Sequence, residues 1–210
     1  MSSPLFTSDV LFAQRMLAAA GLYGGKIDGF YGPVTKSAEE AFDKLYADYA
    51  RVYGSFGQRS EKNICTLLPK MQAAARKLLR LAKEQFKMGQ VQIVSGTRTY
   101  AEQNALYAKR PKVTNAKGGQ SNHNFGLAID VGIFQNGKYL TGATRAEEKA
   151  YADLGKLVKS EFGYKSGKTE KLLDWGGDWK SLIDMPHYEL HSEFTLAQKR
   201  AQLESGRAYV

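Results

Sequence analysis

Cysteine is nearly missing from this chain, with Cys65 the only one in 210 residues. No internal disulfide can form, and a cysteine-based zinc knuckle is excluded. Beside Ile64 and Leu67, a lone cysteine is expected as a small core residue. It has no histidine near it in sequence to act as the base a nucleophile needs. Long apolar runs are also missing, so no transmembrane helix is expected. The N-terminus, MSSPLFTSDV, lacks a basic start followed by an apolar stretch. No secretory signal is therefore expected, and the chain is expected to stay in the cytoplasm of its producing cell until something else releases it. Tandem repeats and low-complexity tracts are absent. Histidine is scarce, with three in all, which narrows the search for a metal site. Acidic residues are outnumbered by basic ones, 21 to 30, for a formal charge of +9. Such a balance predicts attraction to an anionic partner. Nucleic acid, anionic lipid and bacterial wall polymers all qualify, so charge does not choose among them.

What is present divides the chain in two. A hydrophobic share of 43% is enough to fill a real core, and the length suits a small domain plus a medium one. Thr7 or Ser8 is placed to cap a first helix. Val10, Ala13, Leu17 and Ala20 then recur at helical spacing, and Gly21 ends the run. Residues 24–32 carry turn signals throughout. Pro33 opens a second helix with Ala38, Phe42, Leu45 and Tyr49 on its apolar stripe. Residues 1–50 thus read as a small all-α module. Residues 51–60, with Gly54, Ser55, Gly57 and Ser60, read as a linker, and 61–210 as a larger unit.

In that unit Met71, Ala74, Ala75, Leu78, Leu81 and Ala82 mark an amphipathic helix. Arg76, Lys77 and Arg80 are expected on its solvated side. Val91 to Val94 is a short β-rich run, and Tyr100 to Lys109 is helical in pattern. Leu127 to Phe134 reads as a buried strand, followed by the hairpin signal Asn136-Gly137. Arg145 to Phe162 is helical, a short strand carries His187, and Thr195 to Leu203 closes the chain as a helix. The expected class is α+β, a small antiparallel sheet flanked by helices, with the helical module in front.

A catalytic zinc usually takes three protein ligands and leaves a fourth position for water. His123 and Asp130 are seven residues apart, the first in a polar loop, the second inside Leu-Ala-Ile-Asp-Val. An aspartate in such a strand needs a metal, an ion pair or hydrogen bonds to offset its burial. His187 and His191 are spaced like the pair in H-E-x-x-H, but Tyr188 stands where the zincin glutamate belongs. Pro186 and the alternation of Tyr188 with Leu190 favour a strand, on which His187, Glu189 and His191 share a face. His191 is expected behind a ligand or beside a substrate rather than on an ion.

The order Ser-x-His-x6-Asp, then acidic-x-x-His, here Ser121, His123, Asp130, Asp184 and His187, resembles the D-alanyl-D-alanine carboxypeptidase and L-alanyl-D-glutamate endopeptidase family. The resemblance covers residues 59–205 and takes in Ser95-Gly96-Thr97-Arg98, Gln103, Leu106-Tyr107 and Trp175-Gly176-Gly177-Asp178-Trp179. It implies Zn2+ held by His123, Asp130 and His187, and a catalytic carboxylate at Asp184. It also implies an Arg98 that stabilises an oxyanion or holds a substrate carboxylate. Ser121, Gln103 and Trp175 are the candidate substrate-binding residues. Ser121 suits fixing the His123 loop equally well, and Trp175 and Trp179 suit packing the core. Asp184 followed by Met-Pro-His-Tyr-Glu looks more like the phage endolysins of the family. With Leu17-Ala-Ala-Ala-Gly-Leu-Tyr and then Lys26-Ile-Asp-Gly-Phe-Tyr-Gly-Pro-Val-Thr-Lys, residues 8–42 are similar to the small helical peptidoglycan-binding modules of wall hydrolases. The expected protein is thus a monomeric endolysin acting on bacterial peptidoglycan, with no nucleic-acid partner. A carboxypeptidase of the same family and a glycan-cleaving muramidase, which would need paired carboxylates, are the alternatives.

Overall fold

The computed structural model describes residue 6, residues 8–163 and residues 171–209. Two helices lead, α1 (Val10–Ala19) and α2 (Pro33–Tyr53). Asp9 caps α1 by accepting from the Phe12 amide at 3.0 Å; Ser8 does not, and Thr7 lies outside the described residues. Between the helices, the buried Gln14 side chain organises the turn-rich segment. Its Oε1 accepts from the Asp28 and Gly29 amides, and its Nε2 donates to the Phe30 carbonyl and the Thr35 hydroxyl.

Helices α3 (Gln58–Ile64) and α4 (Pro69–Gln85) follow, then β1 (Gln90–Ser95), α5 (Tyr100–Ala108), β2 (Ala128–Gln135), β3 (Lys138–Tyr139), α6 (Arg145–Phe162), β4 (Leu173–Trp175), β5 (His187–Leu190) and α7 (Leu196–Glu204). The β-strands make one antiparallel sheet of order β1-β2-β5-β4, with β3 paired to β2. The Asn136-Gly137 turn behaves as expected, with φ of 51° and 77° at the two positions, the geometry of a tight hairpin.

Alternation along β2 decides what each face does. Ile129, Val131 and Ile133 point into a core shared with Met71, Leu78, Leu154 and Tyr188. Asp130 points the other way and pairs across the sheet with His187. One face is therefore core and the other is free to carry chemistry.

Helix α1 adds Phe12, Met16 and Ala19 to that same core. Gly126, in the left-handed region at φ 67°, lets Met16 approach; a Cβ there would lie 2.5 Å from the methionine methyl. The expected linker is mostly helix, since α2 ends at Tyr53 and α3 begins at Gln58. Across this junction Arg76 is fully buried, contrary to its expected solvation. It donates to the Gly54 carbonyl and to both Glu61 oxygens at 2.8 Å, and it stacks on the Tyr46 ring. Tyr46 and the Phe56 amide also donate to Glu61. Propensity could not reveal a buried ion pair on the face of α4 that meets α2 and α3. Cys65 is half-buried rather than in the core, its thiol donating to the Lys62 carbonyl.

Candidate metal centre

Three side chains converge on the chemically free face of the sheet. His123 comes from a single 3-10 turn, Asn122–Phe125, capped by the Ser121 hydroxyl and closed by left-handed Gly126. The Arg98 amide donates to the His123 carbonyl at 3.0 Å, and Asn124 donates to the Arg98 carbonyl at 2.9 Å, so this turn is zipped to the loop after β1. Asp130 and His187 are cross-strand partners on β2 and β5. Gly176 permits the approach to β5, because a Cβ there would overlap the Asp184 carbonyl oxygen.

The ring nitrogens are already assigned by their neighbours. His123 Nδ1 lies 2.7 Å from the Gly96 carbonyl oxygen, which can only accept. His187 Nε2 lies 2.8 Å from a Glu189 carboxylate oxygen. Those two nitrogens carry the protons, leaving His123 Nε2 and His187 Nδ1 as bare lone pairs. Both face the same oxygen, Asp130 Oδ1, at 3.2 and 3.3 Å. Three acceptors aimed at one point repel one another unless a cation lies among them.

The spacing fits a metal ion. Ligand atoms at the corners of a tetrahedron with zinc-like bonds of ~2.0–2.1 Å stand about 3.3–3.4 Å apart. The two His–Asp separations match that edge, and all three ligand atoms lie within 4.8 Å of one another. These are the three residues that the family resemblance implies as ligands. Without an ion, a proton must take its place. The Asp130 and Glu189 carboxylates overcome the effect of burial and push the His187 imidazole up to about 9. Burial pushes the Asp130 carboxyl up, but His123, His187 and Arg98 outweigh it and hold it well below the usual carboxylate range.

The centre opens on a cleft of about 500 Å³ lined by Arg98, Ser121, Trp179, Asp184, Glu189 and Lys199, among others. Burial and the nearby Asp130 charge push the Asp184 carboxyl up, against the pull of His187, His123 and Arg98. A raised carboxyl beside three candidate metal ligands is suited to proton transfer. Arg98 is in the cleft, but its guanidinium is already engaged by Asp130 Oδ2 and by the Ser95 hydroxyl.

Two of the expected substrate residues lie elsewhere. Gln103 is 1% exposed. It accepts from Arg98 at 3.4 Å and donates to the Ala116 carbonyl at 2.9 Å, so it braces the loop rather than facing a ligand. Trp175 packs in the core opposite Tyr188 and donates to the Met185 carbonyl. Its position in β4 puts it on the core side of the pleat. Trp179 does put an aromatic ring in the cleft, 4.8 Å from the His187 ring. Ser121 both lines the cleft and caps the His123 turn. His191 lies off the centre, paired with Asp174 at 2.8 Å. Asn122 and Lys199 escaped the sequence reading. The one clue to Lys199 was its place four residues before Leu203 on α7.

Comparison with known proteins places this chain in a family. A family model described as D-alanyl-D-alanine carboxypeptidase matches residues 114–190, a span that holds all three candidate ligands and Asp184. The L-alanyl-D-glutamate peptidase of Escherichia phage T5 is 33% identical over 132 residues, covering 61% of this chain and 84% of that protein. The chain belongs to this D-alanyl-D-alanine carboxypeptidase and L-alanyl-D-glutamate endopeptidase family. A second family relative, the peptidoglycan L-alanyl-D-glutamate endopeptidase CwlK of Bacillus subtilis strain 168, is 34% identical over 105 residues. That match covers 48% of this chain and 60% of the relative's length. The crystal structure of the Serratia marcescens L-Ala D-Glu endopeptidase ChiX aligns with a TM-score of 0.47 at 26% identity, covering 65% of this chain and 89% of that one. Among the described residues no helix is long and apolar enough to cross a membrane.

Proposed function

We infer that this chain is a zinc-dependent peptidase that hydrolyses an amide bond in the peptide stems of bacterial peptidoglycan, the L-alanyl-D-glutamate bond first among them. The observation that carries this reading is the convergence of His123 Nε2, Asp130 Oδ1 and His187 Nδ1 within 4.8 Å of one another beside Asp184, with both His–Asp separations close to a tetrahedral edge. The names of the relatives supply the bond.

When bound, a zinc ion lowers the pKa of water toward ~7 and polarises a carbonyl. The protein's own groups do the rest. Asp184 accepts the proton of the attacking water and returns it to the leaving amine. Arg98, at the cleft wall, adds positive charge where the scissile carbonyl oxygen becomes an oxyanion. Ser121 and Trp179 line the cleft on which the stem lies.

The endolysin role is part of this reading, supported by the phage relative and by a net charge of +9 suited to an anionic wall. Wall binding is assigned to the N-terminal helices, where Phe30 and Tyr31 on the turn and Val34 in the first turn of α2 are exposed.

Mass spectrometry of fragments released from purified peptidoglycan tests the assignment. New amino termini on D-glutamate are expected. Release of terminal D-alanine would instead identify a carboxypeptidase, and new reducing sugar ends a muramidase.

A further inference from the structure

The two imidazoles are anchored by acceptors of different kinds. His123 donates to a neutral backbone carbonyl, that of Gly96. His187 donates to a carboxylate, that of Glu189, two residues along the same strand and on the same face. Behind Glu189 stands a second layer. Asn122, next to the candidate ligand His123, stands beside the Glu189 carboxylate as a candidate donor to it. The Asn122 side-chain oxygen accepts from Lys199 Nζ at 3.0 Å. Lys199 is 4% exposed, and a buried ammonium is costly without counter-charge. The carboxylates near enough to supply it are Glu189 and Asp174. A lysine on the buried side of the last helix thus makes sense as the outer end of a chain running Lys199, Asn122, Glu189, His187.

We propose that Glu189 is a positioning residue of the metal centre, fixing His187 in the tautomer and ring orientation that present Nδ1 to the ion, with Asn122 and Lys199 holding Glu189 in place. The proposal rests on the metal reading above and adds to it the groups that make one ligand a ligand. A carboxylate behind a metal-binding imidazole raises the basicity of the ring and prevents it from turning. Glu189 does not reach the reacting atoms; its effect passes through His187. The competing role is a polar brace that stabilises the fold and leaves metal binding alone.

Zinc affinity separates the two. The full-length chain, Glu189→Ala, Glu189→Gln and Lys199→Met are each stripped of metal and titrated with Zn2+ against a chromophoric chelator. Co2+ absorption spectra and the thermal midpoints of the metal-free forms are recorded alongside. Glu189→Ala is expected to weaken zinc about 10–100-fold and to change the Co2+ ligand-field bands. Glu189→Gln, which keeps an acceptor for the Nε2 proton, is expected to recover most of that affinity. Lys199→Met is expected to weaken zinc less than Glu189→Ala does. Wild-type zinc affinity and an unchanged Co2+ spectrum in Glu189→Ala, with only its thermal midpoint lowered, overturn the proposal. Should Glu189→Ala not fold, wild-type zinc affinity together with an unchanged Co2+ spectrum in Lys199→Met overturns it. Failure of the wild-type chain to bind zinc overturns the underlying metal reading instead.

Discussion

Arg98 and Asp130 form an ion pair that divides the work of one carboxylate. The guanidinium holds Oδ2, while Oδ1 is left facing the two imidazoles at 3.2 and 3.3 Å. Arg98 is itself fixed by the Ser95 hydroxyl and by Gln103. The arginine therefore aims a candidate metal ligand as well as standing in the cleft. Arg98→Met is expected to weaken zinc about 10-fold or more and to leave turnover reduced even at saturating zinc. Calorimetric zinc titration and rates at saturating metal check the two effects separately. Full turnover at saturating zinc would remove the oxyanion role.

Asp184 is in the cleft but outside the three-ligand set. Asp184→Asn is expected to bind zinc normally and to lose about 10²–10⁴-fold in kcat, the usual worth of a positioned acid–base group. Metal content by elemental analysis, measured beside the rate, checks this. Parallel loss of zinc would make Asp184 a ligand rather than a proton carrier.

Glu61 and Arg76 tie α2, α3 and α4 together, and their pairing sets an acid limit on stability. Burial pushes the Glu61 carboxyl up, but Arg76, Tyr46 and the Phe56 amide outweigh it and hold it below its ordinary value. A depressed folded-state pKa contributes stability that is complete above the unfolded value, near 4.5. That stability is lost as the pH falls through the folded value. Glu61→Gln leaves Arg76 buried without its counter-charge and is expected to cost about 3–5 kcal/mol at neutral pH. The gap from wild type should narrow as the solution is acidified below pH 4. Urea unfolding at several pH values measures both.

Phe30 is 72% exposed on the turn between α1 and α2. Phe30→Ser is expected to lower co-sedimentation with purified wall while leaving hydrolysis of a soluble stem peptide intact. Deleting residues 1–50 is a poorer test, because it would strip Phe12 and Met16 from the shared core.

Much of this was legible in the residues, for identifiable reasons. The α+β class and the helices rest on period-3.6 and period-2 patterns, caps and the Asn136-Gly137 turn, all of which are local signals. Scarce histidine and an aspartate inside an apolar strand drew attention to His123 and Asp130, whereas the preference for His187 over His191 came from the family resemblance. Long-range contacts left no such mark. The burial of Arg76 depends on Glu61 and Tyr46 arriving from other helices. Trp175 and Trp179 differ only in which side of a short strand and turn they leave from. Gln103 reads as a polar helix residue until the loop at Ala116 closes over it. The segmentation at 51–60 followed glycine content, whereas the helices continue almost to the junction.

Anomalous diffraction at the zinc edge, from crystals grown with one equivalent of Zn2+, tests the central claim most directly. One peak is expected, ~2.0–2.2 Å from His123 Nε2, Asp130 Oδ1 and His187 Nδ1, in protein that releases new amino groups from peptidoglycan. A zinc peak elsewhere, or an empty site in crystals of demonstrably active protein, would contradict it.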